Sequence, residues 1–135
     1  MPIYVAKTDE RAHDEARPHF EAFMNRFLYL PPEMLLPPGY TSAASIKMMR
    51  SKIRPGKKTM EECLELGMFI CGSPQTVRET LLERQREIGY GNQLAQFQFG
   101  TLPHDLTMRN IEYLAGEVWP YLRERVAPAP AAVAS

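Results

Sequence analysis

The chain has 135 residues, in which 16 lysines and arginines balance 16 aspartates and glutamates. That length suits one domain around one core, and a neutral balance gives no electrostatic footprint for nucleic acid or an anionic membrane. Apolar runs fall far short of the ~20 residues that cross a bilayer, and Cys63 and Cys71, with no secretory signal before them, predict a reducing, cytoplasmic setting rather than a disulfide scaffold.

Ile3-Tyr4-Val5-Ala6 is a short β-prone run. Thr8 is placed to cap the following helix, with Asp9 and Glu10 favourable against its N-terminal dipole. Ala12, Ala16, Phe20, Phe23 and Phe27 recur at helical spacing and predict one apolar face, with Pro18 predicting a kink or a restart. Residues 29–40 carry two Pro-Pro pairs, which forbid regular helix or central strand. Their tyrosines, methionine and leucines are rich for a disordered linker, so an ordered excursion against something apolar is expected.

Ser42 or Ser45 starts a short helix with Ile46, Met49 and Ile53 on one side. The basic stretch Lys52 to Lys58 is broken by Pro55-Gly56 and reads as a solvated loop. Thr59-Met60-Glu61-Glu62 has the form of a capping box for a brief helix ending near Gly67. Met68-Phe69-Ile70-Cys71 is a continuous apolar run, as in a strand covered on both faces, and packing is the reading for Cys71.

Gly72 closes that strand, Ser73 caps the next helix, Pro74 fits its first position, and Gly89 fits its end. Val77, Leu81, Leu82 and Ile88 form the helix's predicted buried face. Leu94 to Phe99 form the next predicted strand, with Gln96 and Gln98 on one face above Leu94, and Ala95, Phe97 and Phe99 on the other. A final helix from about His104 to Arg125 is expected to bury Ile111, Leu114, Val118 and Leu122, with Pro120 bending or fraying its last turns. The Ala/Pro-rich tail, residues 127–135, reads as disordered.

Strands alternating with helices imply an α/β fold with parallel pairing and right-handed crossovers. Three βα units fit a small open sheet or a piece of a (β/α)₈ barrel, and periodicity does not choose between them. For chemistry, the chain has no HExxH, paired-Cys or P-loop pattern, and His13 and His19 are poorly spaced for a shared metal, so no metal site is assigned.

The run Gly72-Ser73-Pro74-Gln75-Thr76-Val77, then Ile88-Gly89, then Gln96-Phe97-Gln98-Phe99-Gly100 with Leu102-Pro103-His104, resembles the C-terminal end of the bacterial luciferase-like flavin monooxygenases. The closing Glu117-Val118-Trp119-Pro120 and the opening Tyr4-Val5-Ala6 with Thr8-Asp9-Glu10 fit the same pattern, so the likeness spans about residues 2–125. Members of that family are (β/α)₈ TIM barrels more than twice this length. They oxygenate organic substrates with reduced FMN and O₂, and some relatives use a deazaflavin.

The resemblance implies that residues 1–126 are a partial barrel domain holding the last three βα units, with a Pro-rich, short-helical insertion over about 29–58. It also implies that most flavin contacts come from strands this chain lacks, so that it is inactive alone. A homodimer, or a complementing chain, is then the expected way to cover an open sheet.

Within that frame the loops after the last two strands border the site. Gly72 and Ser73 are candidate cofactor-binding residues, offering donors to an anion at a helix start; an ordinary N-cap is the alternative. Gln96, Gln98 and His104 are candidate substrate-cavity residues, with no residue assigned to catalysis. Hydrogen bonds to neighbouring strands or water are the alternative for the two glutamines, and a structural or solvated role for the histidine. The contrasting reading of the whole is a non-catalytic α/β module that self-associates or binds a partner.

Overall fold

The computed structural model describes residues 1–28, 39, 42–52 and 57–125. Strands β1 (Ile3–Val5) and β2 (Ile70–Gly72) run parallel, pairing Ile3 with Ile70, Tyr4 with Cys71 and Val5 with Gly72. Around them lie α1 (Asp9–Ala22), which runs into a π-helical turn over Phe23–Phe27, then α2 (Ala43–Lys52) and α3 (Met60–Glu65). They are followed by α4 (Pro74–Ile88), α5 (His104–Tyr113), a second π-helical turn over Leu114–Val118, and α6 (Trp119–Arg125). The chain is therefore an α/β protein with parallel strands.

The helix boundaries follow the local signals. Thr8 accepts from the Arg11 amide, Thr59 and Glu62 complete a reciprocal capping box, and Ser73 accepts from the Thr76 amide with Pro74 in the first turn. Gly89 ends α4 at φ 74°, a left-handed conformation that costs a glycine little. Pro18 does not break α1. It lies on the exposed side with Asp14, whose carbonyl loses its helical donor where solvent can replace it. Near Pro120, which has no N–H for the Gly116 carbonyl, the backbone widens so that the Trp119 amide reaches Leu114.

Alternation along β1 builds two cores. Tyr4, with Cys71, faces α1 and α3 and packs among Ala12, Ala16, Phe20, Met60 and Cys63. Ile3 and Val5, with Ile70, face α4 and the second π turn through Val77, Leu81 and Val118. Both faces of the paired strands are thus covered by helices, and no open inner face is left at β1 or β2. Small alanines at positions 12 and 16 let α1 approach the sheet closely. Phe20 stacks on Phe69 with ring centroids 4.0 Å apart, and Phe99 meets both edge-on.

The third predicted strand differs from expectation. Residues 94–99 join the sheet through a single parallel bridge, Pro2 to Gln96, on the other side of β1 from β2. The order is therefore 70–72, 3–5, 96, with the first strand in the middle, whereas a sequentially wound barrel sets consecutive strands side by side.

Pairing stops after one bridge because a side chain takes the next place. In a parallel ladder continuing from Gln96, the residue opposite Tyr4 would be Gln98, donating to the Ile3 carbonyl and accepting from the Val5 amide. Asn110 of α5 does both instead: its Nδ2 donates to Ile3 O at 2.8 Å and its Oδ1 accepts from Val5 N at 2.8 Å. The same Nδ2 reaches Phe97 O at 3.4 Å. Displaced there, the segment leaves the sheet and turns over. Ala95 and Phe97 stay with the α4 side, while Phe99 crosses to the aromatic cluster under α1.

Ile88, Ile111 and Phe27 are exposed rather than buried, the first and last because their helices have run past the sheet. The expectations for the Pro-rich stretch (of which Gly39 is described), for the apolar side of α2 and for the tail fall outside the described residues.

Asn110 is fully buried, so Asn110→Ala leaves a carbonyl and an amide of β1 without partners in the interior. The expected loss is roughly 2–4 kcal/mol, read from urea denaturation. A loss below about 1 kcal/mol would mean that Gln98 re-enters the ladder.

Candidate functional site

Parallel sheets present their loops at the strand C-terminal ends, and ligands of α/β folds bind there. Here that end gathers Thr8 and Asp9 after β1 with Gly72 and Ser73 after β2. Gly72 is tightly enclosed: a Cβ at this position would lie 2.7 Å from Asp9 Oδ1 and 2.9 Å from Thr76. That close approach requires glycine. The Ser73 amide donates to Asp9 Oδ1 at 2.6 Å, and the Ser73 and Thr76 hydroxyls lie 3.1 Å apart.

The start of α4 already holds an anion, supplied by α1. The backbone hydrogen bond from Ser73 lowers the Asp9 pKa below the usual carboxylate range, overcoming the opposing effect of burial, with help from Thr76 and the Ser73 side chain. A phosphate at this helix start would face the Asp9 carboxylate that the Ser73 amide already serves. Ser73 caps α4 and, through its amide, joins that helix start to α1.

A second cluster lies beside the gap that Asn110 spans. Glu15 on α1 accepts from Tyr4 Oη at 2.8 Å through Oε2, and from Arg11 Nε at 2.8 Å and Arg109 Nη2 at 3.0 Å through Oε1. Burial works to raise the Glu15 pKa, but the bonds from Arg11 and Tyr4 and the charge of Arg109 outweigh it and hold the carboxyl low. Burial, then the bond to Glu15, pushes the Tyr4 hydroxyl far above its ordinary range. The cluster ties β1, α1 and α5 together with every partner engaged, and it leaves no base free for proton transfer.

Gln96 and Gln98 are exposed, and Gln96 Nε2 donates to the Gln98 carbonyl at 3.0 Å. Leu94, in the same alternate row, is 87% exposed. His104 opens α5 in solvent. The structure thus brings the two glutamines together on one open row and sets Gly72 and Ser73 apart from them, on the far side of β1. His19, by contrast, lies 2.8 Å from the Thr101 hydroxyl and braces the last turn of α1 against the Gly100 turn.

Burial pushes both cysteine thiols up, Cys71 strongly, which disfavours the reactive thiolate. Among the described residues no group of three His, Cys, Asp or Glu side chains could hold a metal, and no helix is long and apolar enough to cross a membrane.

No family model, curated protein or solved structure matches this chain.

Sequence patterning missed two features of this region. Asn110 had a signal: it interrupts the stripe Leu106, Asn110, Leu114, Val118 at helical spacing, and a polar residue on a buried stripe demands partners. The Glu15 cluster depends on a bond between residues 94 positions apart, Glu15 and Arg109, and leaves no local trace. At the opposite end of the fold, between α4 and α6, lies a cavity of about 980 Å³.

Two measurements test these assignments. Ser73→Ala is expected to cost about 0.5–2 kcal/mol of stability as a lost cap, with no change in anion affinity. The depressed Glu15 pKa contributes stability that is present above the unfolded value of about 4.3 and is lost as pH falls through the folded value. Glu15→Gln should therefore cost roughly 1–2 kcal/mol at neutral pH. Stability–pH profiles of the two proteins should converge as the pH falls from the unfolded value through the depressed folded one, and a constant gap down to acid would refute the assignment.

Proposed function

We propose that this chain is the C-terminal portion of a luciferase-like flavin-dependent monooxygenase, acting in the cytoplasm, that supplies cavity wall to a site it does not complete. The observation that carries this reading is the ordered run from Gly72 to His104, with the local form the likeness requires. A parallel strand ends at Gly72, α4 is capped by Ser73 and closed by Gly89, an extended segment follows, and a helix enters at Pro103-His104. The exposed row Leu94, Gln96, Gln98 adds support: an apolar and two amide side chains at period two suit a surface that another part of an enzyme would cover.

In this reading the oxygenation of an organic substrate by reduced FMN, or a deazaflavin, depends on residues outside this chain. Asp9 leaves no anion seat at Ser73, so the cofactor phosphate is held elsewhere. The last three βα units of a (β/α)₈ barrel remain the finer proposal for the fold, with a complementing chain or a second copy as the partner. It requires β1 to leave its central place, so that residues 70–72 and 94–99 become neighbours.

A second reading is favoured by one observation, the order 70–72, 3–5, 96 with helices on both faces. A self-contained arrangement of this kind suits a non-catalytic module that binds a partner. The purified chain, supplied with a flavin reductase, FMN and O₂, is expected to give no substrate oxidation, and to bind reduced FMN only when a complementing chain is added. Turnover by the chain alone would overturn the incomplete-site proposal. Flavin indifference under every condition, with a stable monomer or oligomer by light scattering, would favour the module.

A further inference from the structure

We propose that the cavity between α4 and α6 is a binding site for a small apolar molecule carrying a single anionic group. Its volume, about 980 Å³, is at the upper end of the range of roughly 300–1,000 Å³ for small-molecule sites. None of Gly72, Ser73, Gln96, Gln98 and His104 lines it, and it lies at the strand N-terminal ends, so it stands independently of either functional reading.

The local sequence explains the cavity. The floor is Ile3 and Phe97, where the segment bridged at Gln96 still lies beside β1. One wall is the second half of α4, through Leu81. The other is the rail Leu114, Val118 and Leu122, whose i, i+4, i+8 spacing carries one apolar stripe through the π-helical turn into α6. The chain between the walls is the Gly89–Gln93 connection, with two glycines, two amide side chains and Tyr90, whose hydroxyl is tied to the α4 wall by donating to Leu81 O at 2.9 Å.

The chemistry of the lip selects the ligand. Trp119 and Leu94 stand there 54% and 87% exposed, an apolar surface left facing solvent. Arg123, one turn after Trp119, is the single charged residue lining the cavity, and no acid lines it. Its neighbour Arg125 is engaged, pairing with Glu124 and stacking 3.6 Å from the Tyr121 ring centroid. Arg123 makes no hydrogen bond or ion pair among the described residues. An apolar hollow with one unengaged guanidinium at its edge complements a hydrophobic body ending in a carboxylate or sulfonate.

The test uses the full chain with anilinonaphthalene sulfonate and its uncharged relative phenylnaphthylamine, each titrated by fluorescence. Saturable binding of one sulfonate per chain is expected. Arg123→Gln should weaken the sulfonate roughly three- to tenfold while leaving the uncharged probe within about twofold. Ala95→Trp, which fills the floor, should abolish both. Because that change can disturb folding, Leu122→Trp at the rim serves as a second filling variant, with the urea midpoint measured for each.

Absence of saturable binding, equal loss of both probes in Arg123→Gln, or unchanged binding in both filling variants would each overturn the proposal. So would a dimer, seen by light scattering, that excludes the probe and that Leu122→Trp dissociates. That outcome would assign the cavity to a second copy of the chain.

Discussion

The carboxamide of Asn110 acts as a piece of main chain. It supplies to β1 the donor and the acceptor that the next residue of a neighbouring strand would have supplied, at 2.8 Å each, from a helix that starts six residues earlier. Much of the architecture depends on that substitution. Because the position opposite Tyr4 is filled, the segment after Gln96 is free to leave the sheet, and Phe99 can rotate into the aromatic cluster beneath α1. Because α5 must bring Asn110 to the sheet edge, it crosses from one core to the other, with Leu106 on the α1 side and Leu114 on the α4 side. One buried amide therefore sets the sheet width, the path of α5 and the membership of both cores.

Charge is handled in the same economical way. Asp9 begins α1 and caps α4, so one carboxylate offsets the dipoles of two helix N-termini. Glu15 collects a tyrosine and two arginines from three elements. Among the described residues, no buried side-chain nitrogen or oxygen lacks a hydrogen bond. Groups that could have served chemistry at the strand C-terminal ends are instead consumed in joining the layers. Among the described residues, Gln98, His104 and Arg123 are not drawn into these joints, and they lie at the periphery of the fold.

What the sequence disclosed divides by range. Caps and ends at Thr8, Thr59, Ser73 and Gly89 were legible because each depends on residues within four positions of it. The buried stripe of α1 and the two-sided burial of β2 were legible because periodicity reports burial. The order of the strands was not, since nothing in Ile3-Tyr4-Val5 states which segment lies on which side. The third strand was over-read for the same reason: LAQFQF has the alternation of a strand, and the residue that interrupts its pairing is more than ten positions further on. The candidate glutamines were correctly placed on one row, but whether that row meets a ligand or solvent is a tertiary property. At Gly72 and Ser73 the local geometry was foreseen and its occupant, Asp9, was not.

The central place of β1 has a consequence for how the chain acquires its structure. Its partners arrive late: Ile70 is 67 positions further on, and Asn110 lies 107 positions from Ile3. Of the described strands, the earlier in the chain is thus the last to be flanked on both sides. Until α5 emerges, Ile3 and Val5 remain an unsatisfied apolar strand with one open edge, able to pair with any other extended chain. Contacts of such separation make assembly slow for a protein of this length. The interval between synthesis of residue 3 and delivery of residue 110 is the period in which this strand is open to pairing with another chain.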